Sequence, residues 1–336
     1  MFEIKHTLCP SCSVGCGINV ILDSEEIVGT FPYKRHPINE GKNCSNGRSS
    51  IDIFDEKLAF DSKVLDDAIG KLEACNSEKV TVIFSGSNSN EDLEAIKSLC
   101  ESKGFNILAY ENNMRNFDSV ASYDDVENAS TLLVIGNILY ENPLIGRRIV
   151  RAKENGAKVF VNDELENSPT ANIADEFTSG SVKEFLDGKD VDEDSIIVFN
   201  KVDSFEDSDL IESASSKALP VYSKSNSKGA LSLQDAVSEE DALELLKNTE
   251  ILLVFNDDVV NDIDFDFKSI SQIIAFSPSK NDTTEIASFV IPIKSWLEYD
   301  GSFTNAEGLT QEFKAACESD NMSVADVIEK INGDAE

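Results

Sequence analysis

The chain has 336 residues, of which 41% are hydrophobic, enough for a core between two or three packed α/β layers. Its formal charge is −34, with 63 acidic against 29 basic residues, and this repulsion disfavours a nucleic-acid partner or an anionic membrane surface. It has no apolar stretch of membrane-spanning length and no signal-peptide or twin-arginine pattern, so we expect a cytoplasmic protein without membrane insertion.

The first 50 or so residues predict a small β-rich unit. Two short strands, at 18–22 and 27–31, flank an acidic turn and read as a hairpin. A loop rich in Pro, Gly and Asn follows over residues 32–47. We therefore expect a hairpin carried between two cysteine-bearing loops.

From about residue 62 the pattern alternates between helix and strand. Helices are predicted at 66–75, 91–102 (with Asn90 as cap), 143–155 and 324–331. Buried strands are predicted at 80–84, 131–136, 158–161, 196–199, 251–255, 272–276 and 288–291. Short apolar runs separated by helices favour parallel sheets in a doubly wound, Rossmann-like α/β arrangement. Acidic connectors are expected at 188–195 and 203–209.

Four of the seven cysteines fall within the first 44 residues. Cys9, Cys12 and Cys16 follow a C-x2-C-x3-C spacing, and Cys44 lies further along the loop. Four thiolates are the usual ligand set of a [4Fe–4S] cluster, and nearby glycines let backbone amides approach the inorganic sulfurs. The three-plus-one spacing predicts one such cluster. Structural zinc is the alternative, although its ligands usually come as two separated C-x2-C pairs.

Other candidate residues surround these cysteines. His36 could tune the cluster, pair with a partner, or be a loop histidine satisfied by a backbone carbonyl. A local basic patch around Cys44 either offsets cluster charge, docks a partner, or is simply solvated; it comprises Lys34, Arg35, Lys42 and Arg48. The scattered Cys75, Cys100 and Cys317 are expected to be structural or incidental.

The segment from Cys9 to Gly47 resembles the N-terminal cluster domain of molybdopterin oxidoreductases, and most closely the catalytic subunit of archaeal formate dehydrogenases. Weaker similarity continues through 133–137, 143–148 and 151–158. Near the end, Trp296 and residues 298–308 look like the stretch that packs back on the cluster domain. The resemblance implies a cluster-binding domain at 1–55, an α/β pterin-domain-like region of two Rossmann-like layers at 56–285, and a C-terminal segment at 286–336.

Departures from that family pattern imply a lost pterin site. Arg115 and Asn116 stand where the family has a cysteine or selenocysteine metal ligand followed by histidine, and Asn46 replaces a lysine between cluster and pterin. Residues 163–165 are Asp-Glu-Leu instead of Asp-Pro-Arg. From this comparison with the family pattern we expect a chain without the family's C-terminal β-barrel. Residues 136–137 and 223–229 could be phosphate loops or merely turns that the sheets need.

The resemblance and its departures predict an electron-transfer subunit with one [4Fe–4S] cluster, without molybdopterin or its own active site. Its expected partners are the electron donor and acceptor subunits of an oxidoreductase complex. One alternative is an active, shortened molybdopterin or tungstopterin formate dehydrogenase. Another is a structural subunit similar to the large iron–sulfur subunit of respiratory complex I.

Overall fold

A computed structural model describes residues 2–24, 26–53, 58, 61–189, 191–192, 194–214 and 217–333. The expected domain boundary between residues 55 and 56 lies outside the described residues, as do residues 190 and 193 of the predicted acidic connector. Along the described part of the chain, no helix is long and apolar enough to cross a membrane.

The secondary structure begins with strands and then alternates between strand and helix. The described strands are β1 (Phe2–Leu8), β2 (Gly17–Asp23), β3 (Glu26–Pro32), β4 (Val80–Ile83), β5 (Asn106–Leu108), β6 (Thr131–Ile135), β7 (Lys158–Asn162), β8 (Glu176–Thr178), β9 (Ser195–Phe199), β10 (Ala218–Pro220), β11 (Ile251–Phe255), β12 (Gln272–Ser277), β13 (Phe289–Pro292), β14 (Gly301–Thr304) and β15 (Thr310–Phe313). The described α-helices are α1 (Ser45–Ser49), α2 (Ser62–Glu73), α3 (Asn90–Lys103), α4 (Tyr123–Asn128), α5 (Ile138–Glu141), α6 (Pro143–Glu154), α7 (Val182–Asp187), α8 (Phe205–Ala214), α9 (Ser227–Leu233), α10 (Glu239–Lys247), α11 (Asp282–Ile286) and α12 (Val324–Asn332).

A three-stranded antiparallel sheet in the order β1-β2-β3 forms the N-terminal region. The predicted hairpin is β2 and β3, and β1 adds a third strand that the sequence pattern did not predict. In β1 the alternation of apolar and charged residues breaks at His6, which occupies the position where the next apolar residue would fall. The cysteine loops therefore extend from a sheet rather than from an isolated hairpin.

Two five-stranded parallel sheets follow, and β14 pairs antiparallel with β15 as a separate two-stranded sheet. The strand orders of the five-stranded sheets are β10-β9-β6-β7-β8 and β13-β12-β11-β4-β5. Strands covered on both faces by helices read as continuous apolar runs, and every residue of β11 is buried. This arrangement confirms the predicted α/β class, with an N-terminal strand region followed by Rossmann-like parallel sheets.

Side-chain caps set the helix starts that differ from the prediction. The hydroxyl of Ser89, not Asn90, accepts the backbone N–H of Asp92 and caps α3. The Asn90 amide instead donates to Ser302 Oγ in the C-terminal segment, at 3.0 Å. Helix α2 begins at Ser62, earlier than the predicted residue 66, because Asp61 caps it.

The C-terminal residues complete one sheet and also reach the N-terminal region. Strand β13 pairs with β12, so the second sheet extends past residue 285. Beyond that strand, Trp296 Nε1 donates to the carbonyl oxygen of Leu8 at 3.1 Å. Helix α12 places Val327 and Ile331 in the same core as Ile96 of α3. The end of the chain therefore contacts both the second sheet and the cysteine-bearing region.

Candidate iron–sulfur site and the adjoining cleft

The four predicted ligand cysteines line one small cavity. Cys9, Cys12 and Cys16 come from the loop between β1 and β2, and Cys44 immediately precedes α1. The backbone N–H of Cys9 donates to the carbonyl of Cys16 at 2.8 Å and closes that loop on itself. Cys9 and Cys16 are buried, whereas Cys12 and Cys44 are half-buried. The cavity therefore has an inner side and a side nearer the solvent.

The thiols lie close enough to influence one another's ionisation. Burial, reinforced by neighbouring thiols, raises the pKa of Cys9, Cys12 and Cys16, and that of Cys12 to about 12. Cys44 is among the neighbours that raise each of these three values. Neutral thiols are thus favoured when no cation is present, and a bound cationic cluster would displace their protons.

Contacts around the sulfurs fit a bound cluster. The N–H of Gly47 donates to Cys44 Sγ at 3.3 Å. A Cβ atom at Gly47 would lie 3.3 Å from Cys9 Sγ and 2.1 Å from Asn43 Oδ1, so the position requires a residue without a side chain. Among the described residues, the buried Nδ2 and Oδ1 of Asn43 have no hydrogen-bond partner, and Asn43 lines the cavity. Its amide N–H groups are available to inorganic sulfur.

Four cysteine donors around one cavity suit a cluster better than a single ion. Tetrahedral zinc needs four thiolates about 2.3 Å from one centre, whereas a cubane presents four separate irons to its cysteines. The donor set, the cavity and Asn43 therefore favour [4Fe–4S] over the zinc alternative.

Contacts with residues that flank the first parallel sheet, in α4 and after β10, and with the C-terminal segment hold the three-cysteine loop in place. The hydroxyl of Tyr123 donates to the carbonyl of Val14 at 2.9 Å. Ser13 Oγ donates to the carbonyl of Tyr222 at 3.0 Å. The backbone carbonyl of Ser13 accepts the N–H of Ala306 at 2.7 Å. The loop is therefore fixed from two directions.

Asn39, which no sequence pattern predicted as a functional residue, links the two cysteine loops. This fully buried side chain accepts from Gly17 N at 3.0 Å, and its Nδ2 donates to the carbonyls of Gly17 at 2.9 Å and Lys42 at 2.6 Å. His36 Nδ1 also accepts from Gly17 N, at 3.1 Å. The alternative in which His36 is satisfied by a backbone carbonyl is thus wrong, because its observed backbone partner is an N–H group.

A larger cleft of about 580 Å³ adjoins the cluster cavity. Cys12, Asn46, Glu141 and Asn142 line both spaces. The remaining lining is strongly polar and comprises Ser11, Tyr110, Asn112, Asn113, Glu164, Asn200, Lys201, Val202, Asp203, Val221, Ser223 and Glu239. With Glu141, the whole cleft lining contains four carboxylates and one lysine. Lys201 pairs with Glu164 at 2.9 Å, so the cleft is electronegative.

The residues that the resemblance singled out do not equip this cleft for a phosphorylated pterin. Asn46 lies between cavity and cleft, where it brings no charge. Arg115 and Asn116 are not among the cleft-lining residues: Arg115 pairs with Asp209 at 2.7 Å, and Asn116 accepts from Lys228 Nζ at 2.6 Å. Glu164 adds negative charge where a pterin dinucleotide would need cations.

The two candidate phosphate loops are occupied by internal contacts. Lys224 Nζ donates to both carboxylate oxygens of Asp257, at 2.7 and 2.6 Å, and also contacts Asp262. Gly136 turns with φ of +92°, and a Cβ atom there would lie 2.2 Å from Asn200 Oδ1. These contacts support the interpretation of both segments as turns that the fold needs.

The remaining cysteines lie away from the cavity. Cys100 is buried in the core around α3, and Cys75 packs against the same core. Cys317 packs beside Trp296 and Leu297. Their surroundings agree with the structural role expected from the sequence.

Sequence comparisons connect the cysteine-bearing region with known redox proteins. Residues 2–56 match the Molybdopterin oxidoreductase Fe4S4 domain. The F420-dependent formate dehydrogenase 1 subunit alpha of Methanococcus maripaludis is 34% identical over 203 residues, covering 52% of this chain and 30% of that protein. The chain is thus homologous to formate dehydrogenase alpha subunits over about half its length, and it spans under a third of theirs.

Solved structures share the fold at low sequence identity. Acetylene hydratase from Pelobacter acetylenicus superposes with a TM-score of 0.67 and 12% identity, covering 98% of this chain and 69% of that one. A chain of the formyltransferase/hydrolase complex FhcABCD from Methylorubrum extorquens gives a TM-score of 0.59 and 15% identity, covering 82% of this chain and 96% of that one. These likenesses concern the fold alone.

Proposed function

Because this chain carries the Fe4S4 domain of the molybdopterin oxidoreductases, we propose that it is an electron-transfer subunit holding one [4Fe–4S] cluster within a multi-subunit oxidoreductase complex. The observation that carries the proposal is the convergence of Cys9, Cys12, Cys16 and Cys44 on one cavity. When bound, the cluster supplies one-electron transfer between its 2+ and 1+ states. The half-buried Cys12 and Cys44 leave a short route from the cluster to the surface.

The chain's own residues bind and shield the cluster. Four cysteine sulfurs would hold the irons, and the Gly47 N–H, which donates to Cys44 Sγ, would stabilise that thiolate. Asn39 ties the two cysteine loops to each other through Gly17 and Lys42. Buried Val14 and Ile38 share a core with Cys9 and Cys16, so water is kept from the inner side.

The proposal that this chain lacks a pterin active site rests on the charge of the cleft. Glu141, Glu164, Asp203 and Glu239 line it, and Lys201 is already paired. Pterin dinucleotide phosphates favour cations and helix N-termini, and the acidic lining opposes both their charge and their desolvation. An electron carrier needs no substrate pocket, so the lack of a pterin active site is compatible with the proposed role.

Membership of a complex is supported by the similar proteins. The matched formate dehydrogenase chain is itself named a subunit, and the FhcABCD chain belongs to a multi-subunit complex. The electron donor and acceptor would be the neighbouring subunits.

The cleft beside Cys12 favours one second candidate, an active molybdopterin or tungstopterin oxidoreductase. At about 580 Å³, the cleft has the size of a small-molecule site and adjoins the cluster cavity. An active enzyme would have to hold its metal without the expected cysteine ligand, since Arg115 and Asn116 lie outside the cleft lining. The same analysis tests both candidates.

Metal and pterin analysis of anaerobically purified protein, alone and with its co-purifying partners, is the deciding experiment. We expect about four irons per chain and no molybdenum, tungsten or pterin. A redox titration of the intact complex should then show the cluster reduced during turnover. Stoichiometric molybdenum or tungsten with pterin would establish the active enzyme instead, and a cluster that is never reduced during turnover would leave a structural subunit.

A further inference from the structure

We infer that the exposed basic surface beside Cys44 docks an acidic redox protein, which exchanges electrons with the cluster at this ligand. This surface, the Cys44 basic patch, consists of Lys34, Arg35, Lys42 and Arg48. The inference rests on the proposed electron-transfer function and adds the chemistry of the partner and the place where it binds.

The patch keeps its positive charge because no described acidic side chain neutralises it. All four are exposed, and within the described residues none of them forms an ion pair. The only acidic residue between positions 34 and 48 is Glu40. That carboxylate accepts from Arg147 at 2.9 Å and Arg151 at 3.0 Å, contacts that hold its pKa at about 2.

The arginines distinguish this patch from the rest of the surface. The chain has six arginines, and four of them form ion pairs with Asp or Glu side chains: Arg115, Arg147, Arg148 and Arg151. The other two, Arg35 and Arg48, both lie in the patch. A guanidinium presents a planar fork that matches a carboxylate, so each of these exposed arginines can bind a carboxylate of another molecule.

The patch is built around a cluster ligand. Cys44 lies between Lys42 and Arg48 in the chain, and it is one of the two half-buried ligand cysteines. The loop segments bearing Lys34 and Lys42 meet closely, since a Cβ atom on Gly41 would lie 3.1 Å from Lys34 Cα. Asn39 fixes the Lys42 backbone to Gly17, so the charges are displayed on an anchored loop.

The distance over which charges interact favours a compact acidic protein over a long polyanion as the partner. The net charge of −34 repels a long nucleic acid before it reaches so small a basic surface. At about 0.1 M salt, interactions are screened beyond roughly 10 Å, so a small acidic partner can respond to the patch itself. A partner bound at the patch would lie near Cys44, and electron exchange needs such a short path to the cluster.

Two variants test the inference, each with four charge-reversing substitutions and the same change in net charge. The patch variant is K34E/R35E/K42E/R48E, and the matched control K63E/K71E/K183E/K247E reverses exposed lysines elsewhere. Both are made in the full cluster-loaded chain. The probe is an acidic plant-type [2Fe–2S] ferredoxin, whose second-order electron exchange with the cluster is followed by stopped flow at about 0.1 M salt.

We expect the rate constant for electron exchange to be at least about tenfold lower in the patch variant than in wild type. The rate constant of the control variant should stay within about twofold of wild type. An unchanged rate in the patch variant, or an equal loss in the control, would overturn the inference. If the fourfold patch variant loses iron, R35Q/R48Q carries the test, with an expected slowing of about threefold. Titration with dithionite distinguishes failure of the docking inference from failure of the electron-transfer proposal. If dithionite reduces the cluster normally, the electron-transfer proposal stands. If no reducible cluster is present, that proposal itself is refuted.

Discussion

His36 Nδ1 lies 3.1 Å from the backbone nitrogen of Gly17 and accepts its N–H, one residue beyond Cys16. An Nδ1 that accepts a hydrogen bond belongs to a neutral imidazole with its proton on Nε2. Burial lowers the pKa of His36, which favours the same neutral form. The imidazole therefore supports the three-cysteine loop only while it is unprotonated.

The stability of the cluster region should fall below about pH 6.5 because of His36. The pKa of His36 is lower in the folded chain than in the unfolded chain, so the unfolded chain takes up the proton first as pH falls. The stability that neutral His36 contributes at higher pH is therefore lost as pH falls toward its pKa in the folded chain. The Gly17 hydrogen bond sets the scale at about 1 kcal/mol. Urea unfolding at pH 8 and pH 5.5 should show this loss in wild type and a smaller one in His36→Gln. An equal loss in both proteins would show that other groups cause it.

Gly17 should tolerate no side chain. A Cβ atom there would lie 2.3 Å from the His36 ring and 2.8 Å from its Cβ, so the imidazole and its loop would have to move. We expect Gly17→Ala to lower the free energy of unfolding by about 1–3 kcal/mol and to reduce iron content. Gly29→Ala in the same sheet is the control, since its Cβ would meet only Ile21 Cδ1 at 3.8 Å. Equal behaviour of the two variants in denaturation and iron analysis would contradict this packing argument.

Replacing any cavity cysteine should remove the [4Fe–4S] signature. A serine hydroxyl is a poorer iron ligand than a thiolate, so Cys12→Ser or Cys44→Ser should lower iron well below the expected value of about four per chain. Cys75→Ser is the control, because Cys75 packs away from the cavity. Iron analysis and electron paramagnetic resonance of the reduced proteins report the result. Four irons retained after Cys44→Ser would mean that another residue completes the site.

Arg148 should be the most costly arginine to remove. Its side chain is 7% exposed, pairs with Asp124 and Glu127, and donates to the Ile38 carbonyl at 3.3 Å. Arg148→Ala would leave that carbonyl and the Glu127 carboxylate without this partner, at an expected cost of about 2–4 kcal/mol. Arg147→Ala removes a more exposed pair and should cost about 1 kcal/mol or less. Thermal unfolding of both variants checks the order, and a larger loss in Arg147→Ala would reverse it.

The parts of this protein that were predictable from sequence are those with a local signal. The cysteine spacing is local, and β11 matches its prediction because a strand buried on both faces is a continuous apolar run. Short strands such as β5 and β10 have too few residues to show a period. The contact between His36 and Gly17 was not predictable, because it depends on how the Cys44 loop folds over β2. The acidic cleft likewise forms only when distant strand ends meet.

The Asn39 hydrogen bonds have a consequence for how the protein survives oxidative damage. They connect the two cysteine loops through Gly17 and Lys42, using amide and carbonyl groups alone. The relative position of the two loops is thus set by the polypeptide, unlike that of small metal domains that fold only when the metal binds. A chain whose cluster has been destroyed by oxygen would keep its loops in place, and repair would then require only iron, sulfide and reductant, without refolding.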